Sequence, residues 1–360
     1  MCEREVFAMK IEKKVISNLT KCYSIAPLHY QDQDFFLVAA EKQDPCYLFD
    51  LEGQQVDKIW NGPGGVMSMV QVPGTDGQFL STYKFYSPND SKEAKIVIVT
   101  PRGKGDWEIR TLVSLPHVHR FDLLQRDGKV YLIACALKSG HEFKEDWSMP
   151  GKVYAAELPA DLSAFDEAHQ LELTVIKENM LKNHGYYRVE DDGVQTAVVS
   201  CNEGVYQFIP PASGNSEWEI RTLLDTPASD AVLVDLDGDG EKELCTLAPF
   251  HGEKVAIYKK ESGAYKKIYD YPEDAEFTHA IYGGMLCGKP AFVVGHRKGK
   301  RNLFAITWNN ETQEFVSTII DEDRGPANVY HYVYNGKDIL IATNRETDEV
   351  AMYTITSETE

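Results

Sequence analysis

The sequence predicts an all-β fold: a seven-bladed β-propeller of four-stranded blades, closed by the N-terminal strand joining the C-terminal blade. Three observations predict it. The hexapeptide WEIRTL occurs twice, at 107–112 and 218–223, and a six-residue identity 111 residues apart marks an internal repeat. Weaker versions recur as IEKKVI (11–16), QVDKIW (55–60), LELTVIK (171–177), YKKIYD (265–270) and FVSTII (315–320), which makes seven copies. Each is followed by a short junction, and aligning the junctions on Ser24, Val66, His119, His184, Asp230, His279 and Asn328 gives spacings of 42, 53, 65, 46, 49 and 49 residues. That is the length of a four-stranded blade.

The predicted blades are 22–60, 61–113, 114–178, 179–224, 225–270, 271–321 and 322–357, the last completed by 5–20, all in one domain spanning 1–360. The seventh unit has only three strands after Asn328, so the segment around IEKKVI supplies the fourth. Closure of this kind leaves no unpaired sheet edge. Within the units KVYLIACAL, TAVVSC, KELCTLA, AFVVGH and DILIATN take the second-strand position. They are short apolar runs rich in β-branched residues and bounded by turn formers. Cys135, Cys201 and Cys245 stand in three of them as small hydrophobes. SAFDEAHQ (163–170) carries the single helical pattern.

Charge and composition narrow the function classes. Lys+Arg 37 against Asp+Glu 56 gives a net charge of −19, which argues against nucleic acid, since a phosphate backbone requires a positive footprint. No apolar run approaches the roughly 18 residues of a membrane span, and the first residues lack the apolar core of a secretory signal. The seven cysteines include no CxxC pair. The expectation is a cytoplasmic protein without membrane or nucleic-acid partners, its oligomeric state open. GxSxG, HExxH and P-loop motifs are absent.

Two constellations carry chemistry. In VDLDGDGEKEL (234–244), Asp235, Asp237 and Asp239 alternate before Gly240, and Glu243 follows, so hard oxygens converge on a curled loop suited to calcium. The competing reading is a hairpin turn with solvated acids. With these residues the chain resembles the FG-GAP/VCBS class of propeller repeats, whose DxDxDGxxD calcium loop lies between the first and second strands of a blade; Glu243 departs from its last ligand. The resemblance implies a structural calcium ion on the face opposite the blade junctions.

The junctions themselves read as a ring of polar groups. His119, His184 and His279, with Asp230 and Asn328 beside them, lie at equivalent positions around one axis. His251 and His296 sit on loops that open on the same face, with Arg297, Arg345, His141 and Lys84, and Tyr282 follows on an inner strand. Neutral imidazoles converging with a carboxylate suit zinc or manganese, and metal should leave as pH falls through roughly 6.5. For each histidine the competing reading is a hydrogen bond within its own junction. A seven-bladed ring with histidines at its mouth is similar to the propeller of aldos-2-ulose dehydratase and, more distantly, to propeller polysaccharide lyases. That similarity implies metal-assisted β-elimination on a small sugar or sugar acid. His119, His184, His279, His251, His296, Arg297 and Arg345 would be catalytic, and Asp230, Asn328, His141, Lys84 and Tyr282 would bind substrate. The alternative is a non-catalytic binding or assembly module. His29, His169 and His331 fall outside the constellation.

Overall fold

The computed structural model describes residues 9–357. Seven antiparallel four-stranded sheets stand in a ring, six of them in consecutive strand order from the axis outward: 22–60, 69–114, 118–180, 185–224, 230–270 and 278–321. The seventh runs from Pro326–Tyr334 through Lys337–Asn344 and Glu349–Ser357 to the N-terminal strand Met9–Asn18. Met9 pairs with Ser357 and Asn18 with Glu349, so the two ends of the described chain close the ring. Lys13 bridges this closing strand to Asp321 of blade six (2.8 Å) and to Glu349 (2.6 Å).

The runs read as second strands occupy that place in every case, and they are almost wholly buried. Val198, Phe292, Val294, Leu340 and Ile341 have no exposed surface. Their side chains alternate toward the two neighbouring blades. One interblade core, for example, joins Val232, Cys245 and Ile257 of blade five to Phe292, Phe304 and Ile306 of blade six. Cys135, Cys201 and Cys245 are fully buried, and burial raises their thiol pKa values. They are packing residues.

The segment 163–170 is not helical. Arg110 Nη1 donates to the carbonyls of Leu162, Ser163 and Phe165, and Leu171 N donates to Leu112 O. The carbonyls a helix would use internally are thus tied to blade two. No helix among the described residues is long and apolar enough to cross a membrane.

Candidate functional site: an imidazole cluster over the central channel

The inner strands enter the ring with an irregularity that positions the site. In Cys22–Tyr30, Val118–Arg126, Thr278–Leu286 and Pro326–Tyr334 the register slips by one residue near the start. The extra residues are Tyr23, His119, His279 and Ala327. A bulge of this kind re-aims a side chain, and here it turns each bulged residue toward the axis. His184 and Ser229 stand just before the first pairs of their strands, held by His184 N to Ser200 O (3.2 Å) and Ser229 N to Leu247 O (2.6 Å). Six of the seven blades thus contribute Tyr23, His119, His184, Ser229, His279 and Ala327 to the junction ring. Ser24, Asp230 and Asn328, aligned with the histidines in the sequence, lie one residue further down the channel.

This ring is tied blade to blade. His119 Nδ1 donates to His184 O (3.1 Å), His184 Nδ1 to Ser229 O (3.0 Å), and His279 Nδ1 to Ala327 O (2.7 Å). In each case the acceptor is the equivalent residue of the next blade. A carbonyl can only accept, so each neutral ring carries its proton on Nδ1 and presents a lone pair at Nε2. His279 Nε2 accepts from the Tyr23 hydroxyl at 3.1 Å, whereas His184 Nε2 and His251 Nε2 are buried without a partner.

His251 completes the cluster from the loop between the second and third strands of blade five. Its ring stacks between Phe250 (centroids 3.9 Å apart) and Phe277 (4.2 Å) and stands 5.0 Å from His184 and 5.5 Å from His279. His251 and Phe277 both have left-handed backbone, at φ of 51° and 60°, a strained state for residues with a side chain. One nitrogen each from His184, His251 and His279 lies within 4.8 Å of the others. The expected trio contained His119 instead. His119 stacks on His184 at 4.4 Å but falls outside the converging set.

Burial governs the protonation of the cluster. It depresses the pKa of His184 to about 3 and holds His119, His251 and His279 well below the usual imidazole value, with neighbouring cations adding to the effect. All four rings are neutral at pH 7, and protonation competes for Nε2 at lower pH than the expected 6.5. Asp230 is also buried, which raises its pKa to about 7. Its Oδ2 is 3.9 Å from His184 Nδ1, and no ion pair results because the imidazole is uncharged. Gly185 lets the next blade's backbone approach: a Cβ there would stand 2.5 Å from Ser229 O, the carbonyl that holds His184, and 2.6 Å from Asp230 Cα.

Other expected residues are engaged elsewhere. His296 receives Asn302 N on Nε2 (3.0 Å) and donates Nδ1 to Lys298 O (2.9 Å), so both ring nitrogens serve its own hairpin. Arg297 pairs with Glu346 (2.7 Å) and Arg345 with Glu346 (2.9 Å) and Glu41, so neither guanidinium offers free charge to a ligand. Arg297 lies 4.7 Å over the Phe277 ring and so supports the wall that holds His251. Lys84 pairs with Glu93 (2.9 Å), and His141 stacks 5.2 Å from His117, whose Nδ1 meets Ser91 Oγ. Tyr282 bonds Met285 O and His331, lower in the channel. Tyr23, Phe250 and Phe277 are the site residues that sequence reasoning missed. Each is a common core type, and only the bulges and loop geometry bring them to the axis.

The acid loop on the opposite face has a different content. Asp235 caps Gly238 N and Gly240 N, and Glu243 Oε2 accepts from Leu236 N. Lys259 Nζ sits among the acids, against Asp237, at 2.7 Å from Asp239 and 2.9 Å from Glu243. Burial alone would lower the pKa of that ammonium, but its hydrogen bonds to the three carboxylates raise it. Carboxylate oxygens of Asp235, Asp237 and Glu243 converge within 4.8 Å, and a calcium ion would have to take the place of the lysine.

No protein-family profile matches the chain, and no curated protein matches it. Among solved structures, the chain is similar to a streptogramin B lyase at a TM-score of 0.57 and 11% identity, over 97% of this chain and 98% of that one. It is also similar to a candidate 6-phosphogluconolactonase from Bacteroides uniformis at a TM-score of 0.54 and 13% identity, over 93% and 92%. At such identities the likeness establishes the propeller fold. Neither of these two neighbours bears on the FG-GAP/VCBS and aldos-2-ulose dehydratase resemblances.

Proposed function

We propose that the junction face is a transition-metal centre, with zinc or manganese held by His184, His251 and His279, and that the chain is a lyase acting by β-elimination on a small sugar or sugar acid. One observation carries the reading: imidazoles from three successive blades bring one nitrogen each within 4.8 Å of the others, the rings of His184 and His279 are fixed through Nδ1 by backbone carbonyls, and the Tyr23 hydroxyl on His279 Nε2 would yield its place to the metal. Outer hydrogen bonds of that kind orient metal-ligating histidines and set their tautomer. A bound metal would polarise a carbonyl or carboxylate oxygen of the substrate. Tyr23, His119 and Asp230 are the acid–base groups around it. One of them takes the proton from the carbon alpha to the polarised carbonyl, the carbon–oxygen bond at the beta position breaks as the double bond forms, and a second returns a proton to the departing oxygen.

The two enzyme-named neighbours are compatible with this reading at the level of fold. The test is incubation of the metal-loaded protein with a panel of uronic and aldonic acids, following the ultraviolet absorbance of an unsaturated product. Turnover by wild type, lost in His279→Ala, supports the lyase.

The burial of the cluster favours a second reading. His119, His184 and His279 are only 2–3% exposed, packed against the rings of Phe85, Phe250 and Phe277 respectively. A propeller that holds the metal as a cross-blade tie, and acts as a binding or assembly module, would retain metal and turn over none of the panel.

A further inference from the structure

Directly below the imidazole ring the channel opens into a cavity of about 290 Å³, bordered by Ser24, Ser68, Arg120, Tyr186, Arg188 and Asn328. It shares Met69, Val70 and Arg188 with a depression of about 530 Å³ that includes His29, Gly74, Thr75 and Gln125. Those residues belong to the hairpins between first and second strands, so the cavity leads toward the face opposite the histidines. Arg188 is enclosed by the channel wall, yet 44% of its side chain is exposed, as expected of a water-filled passage.

The polar groups here are unevenly satisfied. Asp122 accepts from Leu123 N (2.8 Å) and Tyr186 Oη (3.0 Å) and lies 3.2 Å from Arg188 Nε, so this pair compensates itself. Tyr187 Oη donates to Gly283 O and Asn328 Nδ2 to Tyr23 O. Arg120 is left over. Its Nη1 donates to Met67 O (2.6 Å) and its Nη2 to Asn328 Oδ1 (3.3 Å), both uncharged acceptors, and its Nε is buried without a partner. Among the described residues it forms no ion pair: Asp122 faces Arg188, and Asp230 stands by His184. Half-buried and with no carboxylate in contact, the guanidinium has only the Tyr23 ring, 5.7 Å away, and the more distant Asp230, whose pKa it lowers, to offset its charge. In a chain of net charge −19 it is also a local reversal of sign that draws in anions. The donors still available, the second N–H of each Arg120 Nη, the Nη atoms of Arg188 and the hydroxyls of Ser24 and Ser68, all suit an acceptor-rich ligand.

We propose that this cavity is a second binding site, for a small organic carboxylate that enters from the hairpin face and neutralises Arg120. One uncompensated positive charge matches one carboxylate better than a phosphate dianion, because Arg188 already has Asp122. A volume near 290 Å³ holds about ten waters at roughly 30 Å³ each, room for a ligand of two to six carbons. The proposal is independent of the metal reading above.

The experiment is calorimetric titration of the full-length protein, in chloride buffer, with sodium acetate, sodium gluconate, inorganic phosphate and glucose. Expected are saturable binding of at least one carboxylate, weaker binding of phosphate and none of glucose. Arg120→Gln should weaken carboxylate binding on the order of tenfold or more, as loss of a charge-assisted hydrogen bond does. Arg188→Gln should weaken it several-fold, and the surface variant Arg102→Gln should leave it unchanged. Should Arg120→Gln fail to fold, the Arg188 variant decides alone, since its partly exposed side chain tolerates substitution. Absence of carboxylate binding, tighter binding of phosphate, binding of glucose alongside the carboxylates, or unchanged affinity in these channel variants would overturn the proposal. Metal content, measured on the same samples, reports separately on the histidine cluster.

Discussion

Two clusters of ligand-type side chains lie on opposite faces of the ring, and they differ in what already satisfies them. In the hairpin loop of blade five, Lys259 stands among Asp237, Asp239 and Glu243 and supplies the positive charge from within the chain. Over the junction ring the atoms that converge are uncharged lone pairs: His184 Nε2 and His251 Nε2 meet no donor, and His279 Nε2 receives only the neutral Tyr23 hydroxyl. Spacing in the sequence made both look like metal sites. Convergence of ligand atoms is thus only half of a site; the other half is whether the fold has filled it already.

Both clusters presuppose the closed ring, so the largest expected effect comes from opening it. Deleting residues 1–18 strips the outer strand from Glu349–Ser357 and exposes an edge. Soluble yield should collapse, and a truncated protein as stable as the full chain would remove the basis of the comparison.

The acid loop comes next. Lys259→Met leaves Glu243, 2% exposed, without its cation. The cost should be about 2 kcal/mol, below the 3–5 of a fully buried pair because Asp237 and Asp239 reach solvent. Calcium should raise the melting temperature of this variant clearly and that of wild type little. A large calcium response in wild type would show that the ion displaces the lysine, and the two faces would then be alike.

The pH dependence of the metal-free protein separates the clusters further. The folded pKa of His184, about 3, is below its unfolded value near 6.5. Between those values the unfolded state binds the extra proton, so stability is lost as pH falls below 6.5, by up to about 1.4 kcal/mol per unit for this group. Asp230 has the opposite sign. Its folded pKa, about 7, exceeds the unfolded 3.9, so it lowers stability as pH rises through that window. In denaturant titrations from pH 7 to 5, His184→Gln should flatten the acid loss and Asp230→Asn should steepen it. Unchanged slopes in both would mean that the cluster is wetter than its burial indicates. The smallest effect belongs to His169, exposed beside Asp166; His169→Ala should change stability by less than about 0.5 kcal/mol.

Blade number, strand order and closure were legible because each follows from a repeat and from alternation, properties written residue by residue. The site was legible only in part. His184 and His279 could be placed, but a one-residue bulge has no mark in composition. Ser24 and Asn328 were therefore aligned one position away from the bulged Tyr23 and Ala327, and Asp230, in a strand without a bulge, one position past Ser229. Lys259 and Arg120 were invisible as site residues, since a lysine sixteen residues after Glu243 and an arginine beside His119 gain their roles from neighbouring strands. Arg297 and Arg345 looked like free charge because Glu346 reaches Arg297 only across two neighbouring blades and Glu41 reaches Arg345 only through closure of the ring, while the adjacent Glu346 was overlooked.

The central claim is that the imidazoles of His184, His251 and His279 act as one ligand set. It is tested most directly by metal content after stripping with chelator, reloading with zinc or manganese and dialysis. Wild type and His296→Ala should retain stoichiometric metal, and His184→Ala, His251→Ala and His279→Ala should each lose it while remaining folded. Retention by all three alanine variants, or no retention by wild type, would contradict the claim.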